Sequence, residues 1–221
     1  MKKSFSNYKF AAYMIVFSIL LIGCSKKNAN TITYVKLTER EKIISSFWGD
    51  MCTLFDFKFN DTIGGMSLCL EEWVAGERLK EDIISYGGTS DYESLYVISN
   101  LIKDDGIEGP GVEWKFITVN KAASITSGTH KFYFPDKKNW IGSTHSTLSE
   151  NGEEKIKVEP GEEYILVARL FDLNGDELKL GSIDTQNMQE DILKSCDYAI
   201  VLRLHLYQSE EEANNLIEST K

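Results

Sequence analysis

Histidine is scarce in this chain: His130, His145 and His205 are the only three in 221 residues. None stands at the His-x-x-x-His or His-Glu-x-x-His spacing that would set two imidazoles on one metal ion. His205 lies between Leu204 and Leu206, so on a strand it points away from both, as a solvated or hydrogen-bonded surface histidine does. No metal site and no cofactor follow from these residues. Nucleophile signatures are missing too. There is no Gly-x-Ser-x-Gly elbow, and the one Ser-x-x-Lys, Ser6 to Lys9, sits in an N-terminal leader described below. Adjacent acids such as Glu71-Glu72 and Glu162-Glu163 fall on opposite faces of a strand and cannot share a substrate. Folding can still bring distant carboxylates together, as glycosidases do.

Positive charge is also in short supply. The chain has 24 lysines and arginines against 34 acids, and the first 23 residues carry three of the lysines and no acid, which leaves 21 against 34, a net of −13. Such a surface repels nucleic acid and offers anionic lipid no basic face. Beyond Cys24 there are three cysteines, Cys52, Cys69 and Cys196, in or beside apolar stretches. Their spacing fits no zinc motif, and an odd number leaves at least one unpaired even in an oxidising compartment. Buried free thiols are the favoured reading, with a bridge between two of them as the alternative. Asp172, Asn174 and Asp176 alternate like the start of a calcium loop, but Glu177 and Ile183 stand where an EF-hand needs glycine and glutamate. Asn174-Gly175 between apolar strands is instead the signal of a type I′ hairpin turn.

What the sequence does have begins at its N-terminus. Lys2, Lys3 and Lys9 precede an apolar run over residues 10–23, broken only by Ser18, and the chain turns polar at Ser25-Lys26-Lys27-Asn28. A permanent membrane helix needs about 20 apolar residues, so this shorter run has the layout of a signal peptide. It ends in Leu21-Ile22-Gly23-Cys24, which resembles the lipobox of bacterial lipoproteins. That resemblance implies cleavage before Cys24 and lipidation of its thiol, with the acyl chains as the membrane anchor, each buried methylene adding about 0.8 kcal/mol. The expected organisation is a signal peptide over residues 1–23, a lipidated cysteine and polar tether over 24–37, and one domain over 38–221. The membrane is either the cell membrane or, in a cell with two, the outer one.

Within the domain, Thr38 and Glu41 have the spacing of a capping box, and Ile43, Ile44, Phe47 and Trp48 follow at helical spacing, predicting a short helix. The period then drops to two. Residues 54–59 and 66–73 alternate around turn residues 60–65 and predict a hairpin. Further strands are expected at 79–86, 94–101, 113–119, 130–134, 155–158, 164–173, 177–183 and 198–207, bounded by Gly, Asn, Asp and Pro clusters. Helices are expected at 186–194 and, behind Ser209 and Glu212, at 210–218. About ten short strands predict an antiparallel β-sandwich or barrel.

The stretch from Val158-Glu159-Pro160-Gly161 through Tyr164 to Asn174-Gly175 resembles the last strands of bacterial immunoglobulin-like domains, which implies an immunoglobulin-like sandwich and carries no function. The central region is rich in aromatics, most of which a core explains. Tyr133 opposes Phe132 and Phe134 across the pleat, and Trp140 sits in a polar segment, so these two are the candidates for an exposed platform that binds sugar or peptide. The functional expectation is a non-enzymatic lipoprotein of the cell envelope that binds an envelope protein, peptide or glycan. A cell-wall or glycan hydrolase with unidentified carboxylates, and an immunity or sensing accessory, are the alternatives.

Overall fold

The computed structural model describes residues 29–89, 92–104, 106–120, 125–137, 142–147, 154–173, 193 and 196–219. Cys24, Trp140, Asn174-Gly175 and most of the strand and helix expected at 177–194 lie outside these residues. Eleven strands occur among the described residues: β1 (Thr31–Val35), β2 (Met51–Lys58), β3 (Gly65–Val74), β4 (Glu77–Gly88), β5 (Ser94–Ile102), β6 (Gly111–Val119), β7 (Ile125–Tyr133), β8 (Gly142–Thr147), β9 (Lys155–Lys157), β10 (Glu163–Asp172) and β11 (Tyr198–Tyr207). Helices with described bounds are α1 (Glu39–Ser46) and α2 (Glu210–Ser219).

The strands form an antiparallel β-sandwich. Sheet A has the order β7-β6-β5-β2-β1-β9 and sheet B the order β4-β3-β11-β10-β8. The alternation that predicted the strands decides what each sheet buries. On β2 every second residue, Met51, Thr53, Phe55 and Phe57, is buried, and on β11 Tyr198, Ile200, Leu202, Leu204 and Leu206 turn inward with His205 outward. Between the sheets, Phe134 packs against Phe171 and Tyr198 with ring centroids 4.9 and 5.1 Å apart. Each fully buried side chain of this size stabilises the fold by about 1.5–3 kcal/mol. No helix among the described residues is long and apolar enough to cross a membrane.

Two expectations need correction. Residues 54–59 and 66–73 do not form a hairpin: β2 pairs with β1 and β5, whereas β3 pairs with β4 and β11. Both strands carry apolar residues on one face, and these residues meet across the core rather than side by side. The chain crosses between sheets over residues 59–64, where Asn30 donates to Thr62 Oγ1 and accepts from the Asn60 N–H, while Ile63 closes the end of the core. The second correction concerns residues 31–35, assigned to the tether for their small polar side chains. They are β1, held between β2 and β9, because Ile32 is fully buried in the core. Residues 142–147, the end of the polar segment that holds Trp140, form a strand paired with β10.

The β3–β4 hairpin turns on Ala75 and Gly76, both at positive φ (49° and 81°), the type I′ geometry that matches the twist of the flanking strands. At the other end of β3, α2 lies close enough that a Cβ on Gly65 would sit 2.6 Å from the Ser209 carbonyl oxygen. Ser209 Oγ accepts from the Glu212 N–H as expected, but the Glu212 carboxylate reaches the Gln208 N–H rather than that of Ser209.

Candidate functional site

The outer faces of the two sheets carry the features that a packed sandwich does not explain. On sheet A the feature is apolar. The Thr38–Glu41 capping box forms as predicted, with the Glu41 N–H donating to Thr38 Oγ1 and the Thr38 N–H to Glu41 Oε2. The apolar side of α1, however, is not buried. Ile43 is 63%, Ile44 46%, Phe47 82% and Trp48 58% exposed.

These side chains are held in place. Gly49 lies so close to β5 that a Cβ there would meet Ile98 Cγ2 at 2.5 Å and the Ser99 carbonyl oxygen at 2.8 Å. Asn100 Nδ2 donates to the Trp48 carbonyl at 2.8 Å, and the Asp50 N–H to that of Ser99 at 2.9 Å. Asp50 Oδ2 accepts from the Leu101 N–H at 2.7 Å and lies 3.7 Å from the guanidinium of Arg169. Arg169 is itself buried in the core, donates to Ser99 Oγ and sits 5.4 Å over the Phe171 ring. Burial lowers its pKa, and Asp50 works against that shift. The turn carrying Phe47 and Trp48 is thus fixed to sheet A by backbone contacts and by a cation reaching it from the core. Beneath it runs a shallow groove of about 430 Å³, floored by Ile98, Lys115 and Ile117 and walled by Ser127 to Thr129 of the edge strand β7.

On sheet B the feature is charge. Glu71 is completely buried, yet its carboxylate receives Arg203 Nε and Nη2 at 2.8 and 2.9 Å, Arg78 Nη1 at 3.0 Å and Trp73 Nε1 at 3.0 Å. Burial alone would raise the pKa of this carboxyl. The hydrogen bonds and charge of Arg203, then Trp73 and Arg78, outweigh burial and hold it below the usual range. Such a buried ion pair is costly to half-remove. Around it, Arg203 lies 3.6 Å from Glu163, Arg78 3.0 Å from Glu81, and His205 Nδ1 3.1 Å from Glu163 Oε1. Cys69 is directly opposite Arg203 across the β3–β11 ladder and is buried. A carboxylate held below its ordinary range is unsuited to act as a general acid, and Glu71 is enclosed by its own hydrogen-bond partners.

The residues singled out in the sequence are distributed as follows. Tyr133 lies half-buried on β7 and opposes Phe132 and Phe134 as expected. Trp140 lies outside the described residues. His130 is on β7, its ring edge-on to Phe116 at 6.0 Å; burial lowers its pKa. His145 is on β8, and His205 joins the charged cluster through Glu163. Cys52, Cys69 and Cys196 are free thiols. A second groove, of about 940 Å³ beside the start of β1, has Phe57, Phe59, Lys58, Lys155, Lys157, Asp56 and Glu93 among its lining residues, with Phe57 and Phe59 stacked at 5.6 Å.

Sequence reasoning missed both outer-face features. The capping box and the apolar residues of α1 were visible, but helical spacing normally marks a core-facing stripe. The members of the charged cluster lie on four strands, and only the strand register brings them together. No family model, no curated protein and no solved structure matches this chain.

Proposed function

We propose that this chain is a lipoprotein of the bacterial cell envelope, anchored through Cys24, whose β-sandwich acts as a non-enzymatic binding module for a protein partner. The observation that carries the binding role is the exposure of Phe47 and Trp48 on a turn that the rest of the domain holds rigid. Leaving four large apolar side chains in water is unfavourable by about 25 cal/mol per Å² of apolar surface. Contiguous exposed apolar groups on a folded domain are a signature of an interaction site, and tryptophan is among the residues that dominate interface energetics. Pre-ordering matters as much as area, because a turn already fixed by Asn100, Asp50 and Gly49 loses little further freedom on binding. The anchor reading rests on the resemblance of Leu21-Ile22-Gly23-Cys24 to a lipobox.

Site-specific photocrosslinking in cells tests both parts. A photoreactive residue in place of Trp48 in the full-length chain should give a discrete adduct that disappears when Phe47 becomes Ser and weakens when Cys24→Ala removes the anchor. The same probe in place of Lys80 on β4 should give none. Equal labelling at both positions, or no adduct at 48, would end this reading. Capture of a cell-wall glycan instead of a protein would replace the proposed partner class.

A further inference from the structure

Cys69, Glu81 and His205 come from β3, β4 and β11. A thiol sulfur, a carboxylate oxygen and an imidazole nitrogen from them lie within 4.8 Å of one another. We propose that these three side chains form a zinc-binding site on the outer face of sheet B, with Glu163 as the carboxylate that orients His205.

The arrangement of His205 carries the argument. Its Nδ1 faces Glu163 Oε1 at 3.1 Å on the β10 side, so the proton belongs on Nδ1 and the lone pair on Nε2. Nε2 is buried and has no hydrogen-bond partner among the described residues. Strand order places Cys69 and Glu81 on the opposite side of β11 from Glu163. A carboxylate on one imidazole nitrogen and a metal on the other is the usual arrangement at zinc, and a buried acceptor without a donor is otherwise unfavourable.

The donor set and the charge fit the same ion. Thiolate, imidazole and carboxylate together suit zinc, with bonds of about 2.0–2.3 Å that place tetrahedral donors about 3.5 Å apart. The observed spread closes by rotation of Glu81, which sits on the edge strand and is shared with Arg78 only through an exposed ion pair, an interaction of little strength. Arg203, the cation nearest to Cys69 along the ladder, is already engaged by Glu71 and Glu163. Glu71, Glu81 and Glu163 against Arg78 and Arg203 leave one negative charge, and ionising Cys69 makes two, which a divalent ion neutralises. In the metal-free protein, burial and then Glu81 push the thiol up to about 12. Binding therefore exchanges the thiol proton, released to solvent, for a sulfur–metal bond.

Cobalt(II) titration of the purified full-length protein, followed by displacement with zinc, tests the site. The expected result is one cobalt per chain, with a thiolate-to-cobalt charge-transfer band and tetrahedral visible bands that zinc abolishes. Cys69→Ser should remove the charge-transfer band, whereas Cys52→Ser and Cys196→Ser should leave it. His205→Gln and Glu163→Gln should each weaken zinc binding, the second by about 10- to 100-fold. These two positions, both less buried than Cys69, decide the matter if Cys69→Ser does not fold. A band that survives Cys69→Ser in folded protein, affinity unchanged in both His205→Gln and Glu163→Gln, or no thiolate band at all would overturn the site. None of these readouts depends on the partner proposed for Phe47 and Trp48.

Discussion

Sheet A leaves apolar side chains of α1 in water, while sheet B takes a carboxylate, Glu71, entirely out of it. Each inverts the ordinary distribution of polarity, and they do so at opposite energetic extremes. The exposed rings of Phe47 and Trp48 contribute little to folding. Glu71 is embedded in a network in which every charge relies on another. A surface of the first kind can change its contacts without disturbing the fold, whereas one of the second kind cannot.

The sharpest break in that contrast is Glu71→Gln. It leaves Arg203 mostly buried without its bidentate partner, and the expected loss is about 3–5 kcal/mol in urea unfolding. Replacing both partners with apolar side chains, Glu71→Leu with Arg203→Met, should recover most of the loss, since burying the pair offers little net stabilisation over a well-packed apolar contact. The same carboxylate sets an acid limb. Its folded-state pKa lies below the unfolded value of about 4.3. The stabilisation is therefore fully present above that value and is lost as pH falls through the folded pKa. A stability–pH profile should show this decline in the parent protein and a flatter one in Glu71→Gln.

Gly49→Ala comes next and strikes where the turn after α1 is fixed to sheet A. The added methyl must displace Ile98 or the backbone of Ser99, at a cost of about 1–3 kcal/mol for overpacking. Crosslinking at position 48 should fall more steeply than stability, because the turn that aims Trp48 is what moves.

The sequence made one side of this contrast partly visible and hid the other. Alternation over residues 54–59 and 198–207 identified strands and their buried faces, since period and burial are local properties. It did not identify neighbours, so β2 and β3 were paired across a turn that in fact crosses between sheets. In Thr31–Val35 a β-branched alternation was present around Ile32, but its polar flanks resembled a tether. For α1, Thr38 and Glu41 located the helix start, yet helical spacing of Ile43, Ile44, Phe47 and Trp48 is silent on whether a partner covers that face. Glu71 lies more than a hundred residues from Arg203 and His205 along the chain, and nothing local announces that they meet.

Thr38→Ala should cost about 1 kcal/mol by removing the N-cap, a loss confined to α1. Ser45 on that helix lies beside Cys52 and works against the rise that burial imposes on its thiol pKa. Loosening the cap should therefore speed alkylation of Cys52 and leave Cys196, buried on the outer face of sheet B, unchanged. Equal acceleration at both thiols would mean that α1 is coupled to the whole sandwich, which would undercut the view of it as an independent presenting element.

The smallest effect on folding belongs to the side chains of greatest functional interest. Phe47→Ser with Trp48→Ser removes two rings that are mostly in solvent already, so the unfolding midpoint should move by no more than about 0.5 kcal/mol in either direction. The backbone bonds of Asn100 and Asp50 to this turn are untouched by the change. If the double variant is as stable as the parent and loses its crosslinked partner, the rings are kept for binding. A loss of several kcal/mol would instead show that they cover the sheet, and the outer face of sheet A would then be ordinary core, leaving the charged face of sheet B as the part of the molecule that packing does not explain.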